Sequence, residues 1–375
     1  MDPVASNFRI AHASDGDWDQ MTSACLAQLD ALSADANLGF IYVTDSVNKD
    51  LRRVVDRLRH ATGIDNWVGT IGFGVCATGV EYFDVPAMVV MVGAMPEDSF
   101  RILPGAESPV QPLSPDLGGW VAKHHPVLGV MHGDPRNPSL DSLIKAIQQE
   151  TGCFLVGGLT ASRGEMDQVA DQVIDGGVSG VLFADNVGVV TGLTQGCAPI
   201  GPVHHVTKGR DNVLVELDGE PAYRVFEQDI GELLARDLSR IEGYVHVALP
   251  IAESDTGDYL VRNLVGIYPE EGWISVGEHV ASGDRVMFVR RDAPSAMVDL
   301  KRMLDDVTAR APATVRAALY YSCIARGPNL FGDGSVELGT IKDALGDVPL
   351  AGFFANGEIC NNRLYGYTGV LTLFT

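Results

Sequence analysis

Two stretches of the sequence carry the same order of features and decide the fold. The first, at residues 131–165, is MHGDPRNPSLDSLIKAIQQETGCFLVGGLTASRGE; the second, at 321–358, is YSCIARGPNLFGDGSVELGTIKDALGDVPLAGFFANGE. Each indicates a strand end, a loop with glycine and proline, a helix with a central isoleucine, an apolar strand and a turn ending in Gly-Glu. We interpret the pair as an internal duplication.

A looser version of the pattern, GFGVCATGVEY, lies at residues 72–82 and ends a glycine turn with Glu81. Successions of strand, glycine and turn are common in any chain that alternates strands and helices. We therefore interpret this third stretch as an ordinary echo and not as another copy.

Strand and helix signals alternate along the rest of the chain. LGFIYVTD (38–45) predicts a buried strand, and the following segment (47–63) predicts an amphipathic helix that ends at Gly63. GVSGVLFA (177–184) and VGVVTGL (187–193) are predicted to pair as a hairpin. The alternation predicts an α/β protein of two similar lobes, each a mixed β-sheet flanked by helices. The glycine- and proline-rich run around Gln195–Gly209 predicts the boundary, giving domains at 1–206 and 207–375.

The composition excludes several classes of function. The chain has 375 residues, with 49 acidic side chains against 27 Lys and Arg, a formal charge of −22 that excludes nucleic acid as a direct partner. Neither a secretory signal nor an apolar run of membrane-spanning length is visible, so a cytoplasmic protein with no membrane partner is expected. The six cysteines lack CxxC spacing, which predicts reduced thiols and no zinc site.

The candidate ligand-binding residues cluster around the two repeated turns. Arg326 follows a predicted strand in a glycine loop, where a guanidinium can bind a carboxylate or phosphate with two hydrogen bonds. Cys323 is a nucleophile if the protein is an enzyme, although a cysteine at the end of an apolar strand more often only packs. The Gly-Glu turns add Asn356 and Glu358 in the second stretch, and Arg163 and Glu165 in the first.

Known catalytic motifs are missing from the sequence. It contains no GxGxxG after the first strand, no Walker loop, no GxSxG and no HExxH. The adjacent pairs His124-His125 and His204-His205 do not suit zinc. One axial histidine would suffice for haem, so the sequence leaves haem open.

Four segments together resemble the FIST family, named for F-box and intracellular signal transduction proteins. They are TQGCAPIGPVHHVTK (194–208), VELDGEPAYRVF (215–226), YYSCIARGPNLFG (320–332) and PLAGFFANGEICNNRLYGYTGVLTLF (349–374). The resemblance runs from about Gly39 to the end of the chain. The glycine turn around Phe73 departs from the family's Gly-Cys-Ser-like pattern, and Leu364-Tyr365-Gly366 stands where the family often has a histidine.

The resemblance implies a sensory protein for a small metabolite such as an amino acid, signalling to a downstream protein; some relatives bind haem and sense nitric oxide. We therefore expect a ligand between the lobes, with Arg326 and Glu358 each meeting one charge of a zwitterion. Two alternatives remain: a hydrolase or transferase that uses Cys323, and a haem-binding nitric-oxide sensor. No cofactor is expected under the leading hypothesis.

Overall fold

The computed structural model describes residues 8–29, 32–110, 113–235, 241, 243–251, 258–312 and 314–375. It is a mixed α/β structure, which confirms the predicted fold class. The chain forms two compact units. The first contains Met1–Thr194, Leu300–Leu364 and Thr368–Thr375, and the second contains Gln195–Asp299 and Tyr365–Tyr367. The compact units therefore do not divide at residue 206, because the chain leaves the first unit at Gln195 and returns to it at Leu300.

The helices follow the predicted polar and apolar periodicity. Asp17 caps the first helix by accepting a hydrogen bond from the Gln20 backbone N–H at 2.8 Å, and Gly63 ends the second with φ of +72°, as predicted. A 3₁₀ turn, Asp45–Asp50, precedes this second helix. The helices are α1 Trp18–Gln28, α2 Leu51–Thr62, α3 Pro115–His124, α4 Leu140–Thr151, α5 Ala222–Ala235 (kinked at Gly231), α6 Ala293–Arg310, α7 Pro328–Phe331 and α8 Val336–Leu345.

The strands lie before, between and after these helices, singly or in runs of several strands. They are β1 Phe8–Ser14, β2 Leu38–Thr44, β3 Asn66–Gly72, β4 Gly74–Ala77, β5 Val80–Phe83, β6 Ala87–Gly93, β7 Phe100–Ala106, β8 Leu128–Gly133, β9 Phe154–Leu159, β10 Gln168–Ala170, β11 Gln172–Ile174, β12 Val178–Phe183, β13 Val189–Gln195, β14 Cys197–Pro199, β15 His204–Arg210, β16 Val213–Leu217, β17 Glu220–Pro221, β18 Val245–Pro250, β19 Tyr259–Tyr268, β20 Trp273–Val276, β21 Arg285–Arg291, β22 Ala317–Cys323, β23 Leu350–Ala355, β24 Glu358–Cys360, β25 Arg363–Tyr365 and β26 Thr368–Phe374.

Three six-stranded sheets of the first unit share one topology. Their strand orders are β1-β6-β2-β3-β10-β11, β7-β12-β8-β9-β24-β25 and β13-β26-β22-β23-β4-β5. At the centre of each is a parallel pair, β2–β3, β8–β9 or β22–β23, joined through helix α2, α4 or α8. An antiparallel strand lies on one side of that pair, and a short hairpin lies on the other. The unit is thus built from three copies of one repeat.

The repeats exchange their hairpins in a cycle. Hairpin β4–β5 of the first repeat pairs with β23 of the third, β24–β25 of the third pairs with β9 of the second, and β10–β11 of the second pairs with β3 of the first. The stretch at 72–82 contains β4 and β5, so it is a genuine third copy, and its interpretation as an echo was wrong. Its connection to β3 is a single residue, Phe73, which hid the correspondence in the sequence.

Alternating side chains of the sheets separate an inner core from outer ones. On β2, Phe40 faces the core that the three sheets share, whereas Ile41 packs beneath α1 and α2. Tyr42, His132 and Tyr321 occupy the same position on β2, β8 and β22 and are fully buried together. The Tyr42 hydroxyl lies 3.0 Å from that of Tyr321 and 3.3 Å from His132 Nε2, and burial lowers the pKa of His132 to about 3.

The second unit is a different structure. Strands β21, β15, β16, β20, β19 and β18 pair in that order, all antiparallel, and β18 returns to pair with β21, so the ring of strands closes. Phe226 of α5 packs against Phe288 of β21 in its core. The expectation that the second half simply repeats the first therefore fails over this unit, and the repeat resumes only with β22.

The hairpin predicted for 177–184 and 187–193 is also wrong. Strand β12 pairs with β7 and β8, and β13 belongs to the sheet that contains β26. The polar turn between them carries the chain from one sheet to the next. None of the helices in the described ranges is both long and apolar enough to cross a membrane.

Candidate functional site

Arg326 lies in a closed set of charged and polar side chains at the start of α8, which we call the Arg326 network. The set consists of Arg326, Glu337, Tyr320, Ser322 and Glu81. Arg326 and Glu337 have no solvent exposure, and their ion pair has an Nη2–Oε1 distance of 2.6 Å. Glu337 also accepts hydrogen bonds from the hydroxyls of Tyr320 and Ser322, at 2.7 and 2.9 Å. Burial alone would lower the pKa of Arg326, but the Glu337 carboxylate outweighs it and the pKa is raised. The guanidinium is therefore neutralised by the protein itself.

The hairpin from the first repeat completes this network. Glu81 on β5 accepts a hydrogen bond from the Leu338 backbone N–H at 3.0 Å, at the N-terminus of α8. Burial raises the pKa of Glu81 to about 7; the Leu338 N–H opposes this rise, and the Glu337 carboxylate adds to it. Glu81 does not correspond to Glu358, because it lies on the second strand of its hairpin, β5, whereas Glu358 lies on the first strand, β24. It acts here as a partner of the neighbouring repeat.

Glu358 and Cys323 lie next to the Arg326 network, as the sequence predicted. Glu358 is fully buried, and one of its carboxylate oxygens accepts from the Thr368 hydroxyl at 2.7 Å and the Thr368 N–H at 3.2 Å. Burial raises the pKa of Glu358 to about 8, against opposing effects of Thr368, of Arg326 and of a hydrogen bond with the Cys323 thiol. Three of the predicted residues thus meet, but Arg326 and Glu358 have no exposed surface and Cys323 is only 7% exposed.

The other predicted residues lie elsewhere. Asn356 is exposed, and its backbone N–H donates to Leu159. Arg163 is exposed on the neighbouring turn, where it pairs with Asp45 at 3.1 Å and Asp84 at 2.6 Å. Neither the Asn356 side chain nor the Arg163 side chain belongs to the Arg326 network.

Glu165 does not occupy the position of Glu358 in its repeat. Glu358 pairs with Gly158 of β9, and the residue in the same register of the second repeat's hairpin is Gln168, which pairs with Thr70 of β3. Gln168 is buried and accepts from Ser179 at 2.6 Å, much as Glu358 accepts from Thr368. The alignment of the two Gly-Glu pairs was wrong because the connection from β9 to β10 is longer than that from β23 to β24.

Glu165 instead lines an open cleft in the first unit, which we call the Asn48 cleft. The cleft has a volume of about 420 Å³ and lies where hairpin β10–β11 meets the 3₁₀ turn and the start of α2. Its lining consists of Asn48, Lys49, Arg52, Glu165, Asp167, Val173, Ile174 and Asp175. The same three parts of the repeat form the Arg326 network, so the two sites are equivalent in the fold.

The charges of the Asn48 cleft are mixed and only partly paired inside the protein. Asp167 is half-buried, and its pKa is raised, first by burial and then by the carboxylates of Asp175 and Glu165, with Arg52 opposing. Asn48 is 7% exposed; its Nδ2 donates to the Glu165 carbonyl at 2.8 Å, while its Oδ1 has no hydrogen-bond partner. A ligand could donate an N–H hydrogen bond to this oxygen and place a positive charge beside the carboxylates. It would then supply the partner that the oxygen lacks and the opposite charge that the carboxylates lack.

Sequence reasoning missed most of this cleft. Its residues come from two segments, 48–52 and 165–175, that are far apart in the chain and meet only because the second repeat lends its hairpin to the first. The one available signal was the third copy of the turn, since three copies imply three equivalent junctions.

His132 and His246 fit a haem iron poorly. His132 is fully buried between tyrosines. His246 lines a pocket in the second unit, but no Lys or Arg stands among the described residues that line it to meet two propionates. Within the described ranges, no cluster of three or more His, Cys, Asp or Glu is arranged to hold a metal ion.

Comparison with known proteins identifies related sequences. The FIST N domain model matches residues 37–220, and the FIST C domain model matches residues 222–361. The uncharacterized protein Rv0628c of Mycobacterium tuberculosis is 36% identical over 260 residues, which cover 64% of this chain and 66% of that protein. The uncharacterized protein Mb0898c of Mycobacterium bovis is 34% identical over 236 residues, 60% of this chain and 61% of its own. The match spans slightly less than two thirds of each relative's length.

Proposed function

The chain belongs to the FIST family, and from that premise we propose that it is a sensory protein that binds a zwitterionic metabolite, such as an amino acid, in the Asn48 cleft. FIST domains are generally taken to be sensory domains for small ligands. The proposal moves the ligand from the buried Arg326 and Glu358 to the equivalent junction of another repeat, which is open.

The unpartnered Oδ1 of the buried Asn48 carries this proposal. A buried polar oxygen without a partner costs about 1–3 kcal/mol, and a ligand ammonium would remove that cost. The same ammonium would relieve the mutual repulsion of Asp167, Asp175 and Glu165. Lys49 and Arg52, which line the cleft from the 3₁₀ turn and the start of α2, are suited to a carboxylate. Binding to both sets would select a molecule with one charge of each sign.

Stabilisation by ligand tests the proposal. The twenty amino acids and a set of related zwitterions are added singly to the full chain, and the unfolding temperature is measured. A ligand at a hundred times its Kd is expected to stabilise the fold by about 2.7 kcal/mol. The ester and N-acetyl forms of that ligand each lack one charge and should lose most of the effect.

A pair of adjacent arginines supplies the matched control. Arg52 lines the cleft, whereas Arg53 is an exposed neighbour on α2 that pairs with Asp50. Arg52→Ala should abolish the ligand-dependent shift, and Arg53→Ala should keep it. If no zwitterion shifts the wild type, or if both variants respond like the wild type, the cleft is not the binding site.

A second candidate function is catalysis by Cys323. The hydrogen bond between its thiol and Glu358 places a nucleophile beside a carboxyl group that can accept its proton when ionised, a form that the raised pKa of Glu358 leaves in the minority at pH 7. Against it stands the burial of both groups. Alkylation with iodoacetamide decides, with the half-buried Cys360 as an internal reference. A catalytic Cys323 should react faster than Cys360 at neutral pH, whereas a packed one reacts only as the protein unfolds.

We also propose that the ligand signal passes to a separate protein in the cytoplasm. The support is the family's sensory role, together with the large negative charge, which suits a partner with a basic surface. Affinity capture with and without the stabilising ligand tests this: a partner retained in only one of the two states supports it, and identical captures contradict it.

A further inference from the structure

The second compact unit contains a pocket of its own, with a volume of about 570 Å³. This volume falls within the range of about 300–1,000 Å³ that is typical of sites for small molecules. The pocket is lined mainly by neighbouring strands: His246 lies on β18, and Asn263 and Val265 lie on β19. Tyr367, from the short segment that belongs to this unit, completes it. We call it the neutral pocket.

The neutral pocket differs from the Asn48 cleft in charge. Among the described lining residues there is no Asp, Glu, Lys or Arg. The remaining titratable groups are His246 and Tyr367. Burial lowers the pKa of His246 to about 4; the Arg291 charge behind the lining adds to this, and the Gly243 backbone and the Asn263 side chain oppose it, so the imidazole is neutral at pH 7. The described part of the lining therefore offers a charged ligand no side chain of opposite charge.

Polar groups converge at one side of this apolar pocket. The Tyr367 hydroxyl donates to Asn263 Oδ1 at 2.6 Å, which fixes both side chains. The rings of Tyr367 and His246 lie 4.4 Å apart between centroids, inclined at 41°. His246 is only 2% exposed, and neither ring nitrogen makes a well-aligned hydrogen bond, although Gly243 and Asn263 lie close to it.

The backbone at Tyr367 supports a binding role. Its φ of +64° lies in the left-handed region, which is unfavourable for a bulky aromatic residue. Such conformations persist where the surroundings hold them, and they cluster at binding sites. Here the unfavourable backbone places an aromatic ring and a hydroxyl against His246 and Asn263.

We propose that the neutral pocket binds an uncharged heteroaromatic molecule that has a flat apolar body and at least one hydrogen-bonding edge. The aliphatic side chains, which include Val245 and Ile267, pack against the body. The amide of Asn263 and the hydroxyl of Tyr367, which are held to each other, meet the polar edge, and the Tyr367 ring, backed by His246, stacks along the ligand ring. The site is independent of the Asn48 cleft, so either can exist without the other.

Binding of three uncharged probes tests the proposal. Indole, benzimidazole and nicotinamide are titrated into the full chain, and the ring-proton resonances of His246 and Tyr367 are followed by NMR. At least one probe should saturate with a Kd below about 1 mM. Indole-3-acetate, which adds a carboxylate to the same ring, should bind about ten-fold more weakly than 3-methylindole, because no basic side chain stands among the described lining residues.

Two exposed valines provide a matched pair of variants that should not disturb folding. Val265 is 64% exposed and lines the pocket, while Val298 on α6 is 70% exposed and does not. Val265→Glu should weaken the probe about ten-fold by placing a charge at the apolar lining, and Val298→Glu should change it less than two-fold. Failure of all three probes to saturate, or equal effects of the two variants, would overturn the proposal.

Discussion

The start of α8 and the start of α2 occupy the same place in two repeats, yet one is filled by charged side chains and the other is open. At α8, Arg326 and Glu337 neutralise each other without any solvent exposure. At α2, Arg52 and the carboxylates of the borrowed hairpin line a cleft of about 420 Å³. At the α8 junction an ion pair of the protein itself thus occupies the position that we assign to a ligand at the α2 junction. A repeated fold can use one copy for stability and leave another for binding.

The largest expected effect is the loss of Glu337. Glu337→Ala leaves the Arg326 charge buried without a partner, which should destabilise the fold by about 3–5 kcal/mol in denaturant unfolding. Lys145→Ala removes one side of an exposed ion pair with Asp141 on α4, and the expected change is below about 0.5 kcal/mol. Comparable losses in the two variants would mean that the Arg326 network is not a structural centre.

The second effect concerns pH. Because the pKa of Glu358 is raised from 4.5 to about 8 in the folded protein, its contribution to stability is full below pH 4.5 and is lost as the pH rises through 8. Between pH 5 and 8, the stability of the wild type relative to Glu358→Gln should therefore fall by more than about 1 kcal/mol. Glu165→Gln makes the same change at an exposed position of the cleft and serves as the control. A constant difference between wild type and Glu358→Gln across this range would show that the buried carboxyl does not titrate as inferred.

The smallest effect on stability is expected in the open junction. Arg52 is exposed and makes one long contact, Nη2 to the Val173 carbonyl at 3.4 Å, so Arg52→Ala should change the free energy of unfolding by less than about 0.5 kcal/mol without ligand. If Arg52→Ala lowered the free energy of unfolding by more than about 2 kcal/mol without ligand, Arg52 would be a residue that stabilises the fold. The two junctions would then not differ in the way we propose.

Local signals in the sequence predicted much of the fold. The strands and helices of 131–165 and 321–358 and the end of α2 at Gly63 follow from periodicity and helix-stop signals that involve only neighbouring residues. The hairpin exchange joins strands that are far apart in the chain, such as β4 and β23, and no local pattern encodes that choice of partner. The closed ring of strands in the second unit was missed for the same reason, because its pairing order does not follow the chain.

The candidate site, like the fold, was predicted only in part from the sequence. Arg326, Glu358 and Cys323 were grouped from the sequence because all three lie near the ends of β22, β23 and β24, which follow one another along the chain. They meet although β24 pairs with β9 in a different sheet from β22 and β23. Their burial was not predicted, since it depends on Glu337 and on Glu81 from another repeat. The Asn48 cleft likewise exists only because one repeat contributes its hairpin to the sheet of another.

The cyclic exchange of hairpins also sets the order in which the strands can pair while the protein is being synthesised. Strand β4 is synthesised early, but its partner β23 emerges only after Gln195–Asp299 of the second unit has been made. At rates of about 5–20 residues per second, the ribosome takes on the order of tens of seconds to cover that distance. During this interval the β4–β5 hairpin lacks its partner strand, and its apolar β4 is open to chaperones or to other nascent chains. The last strands to be synthesised therefore complete sheets that contain strands from the first part of the chain.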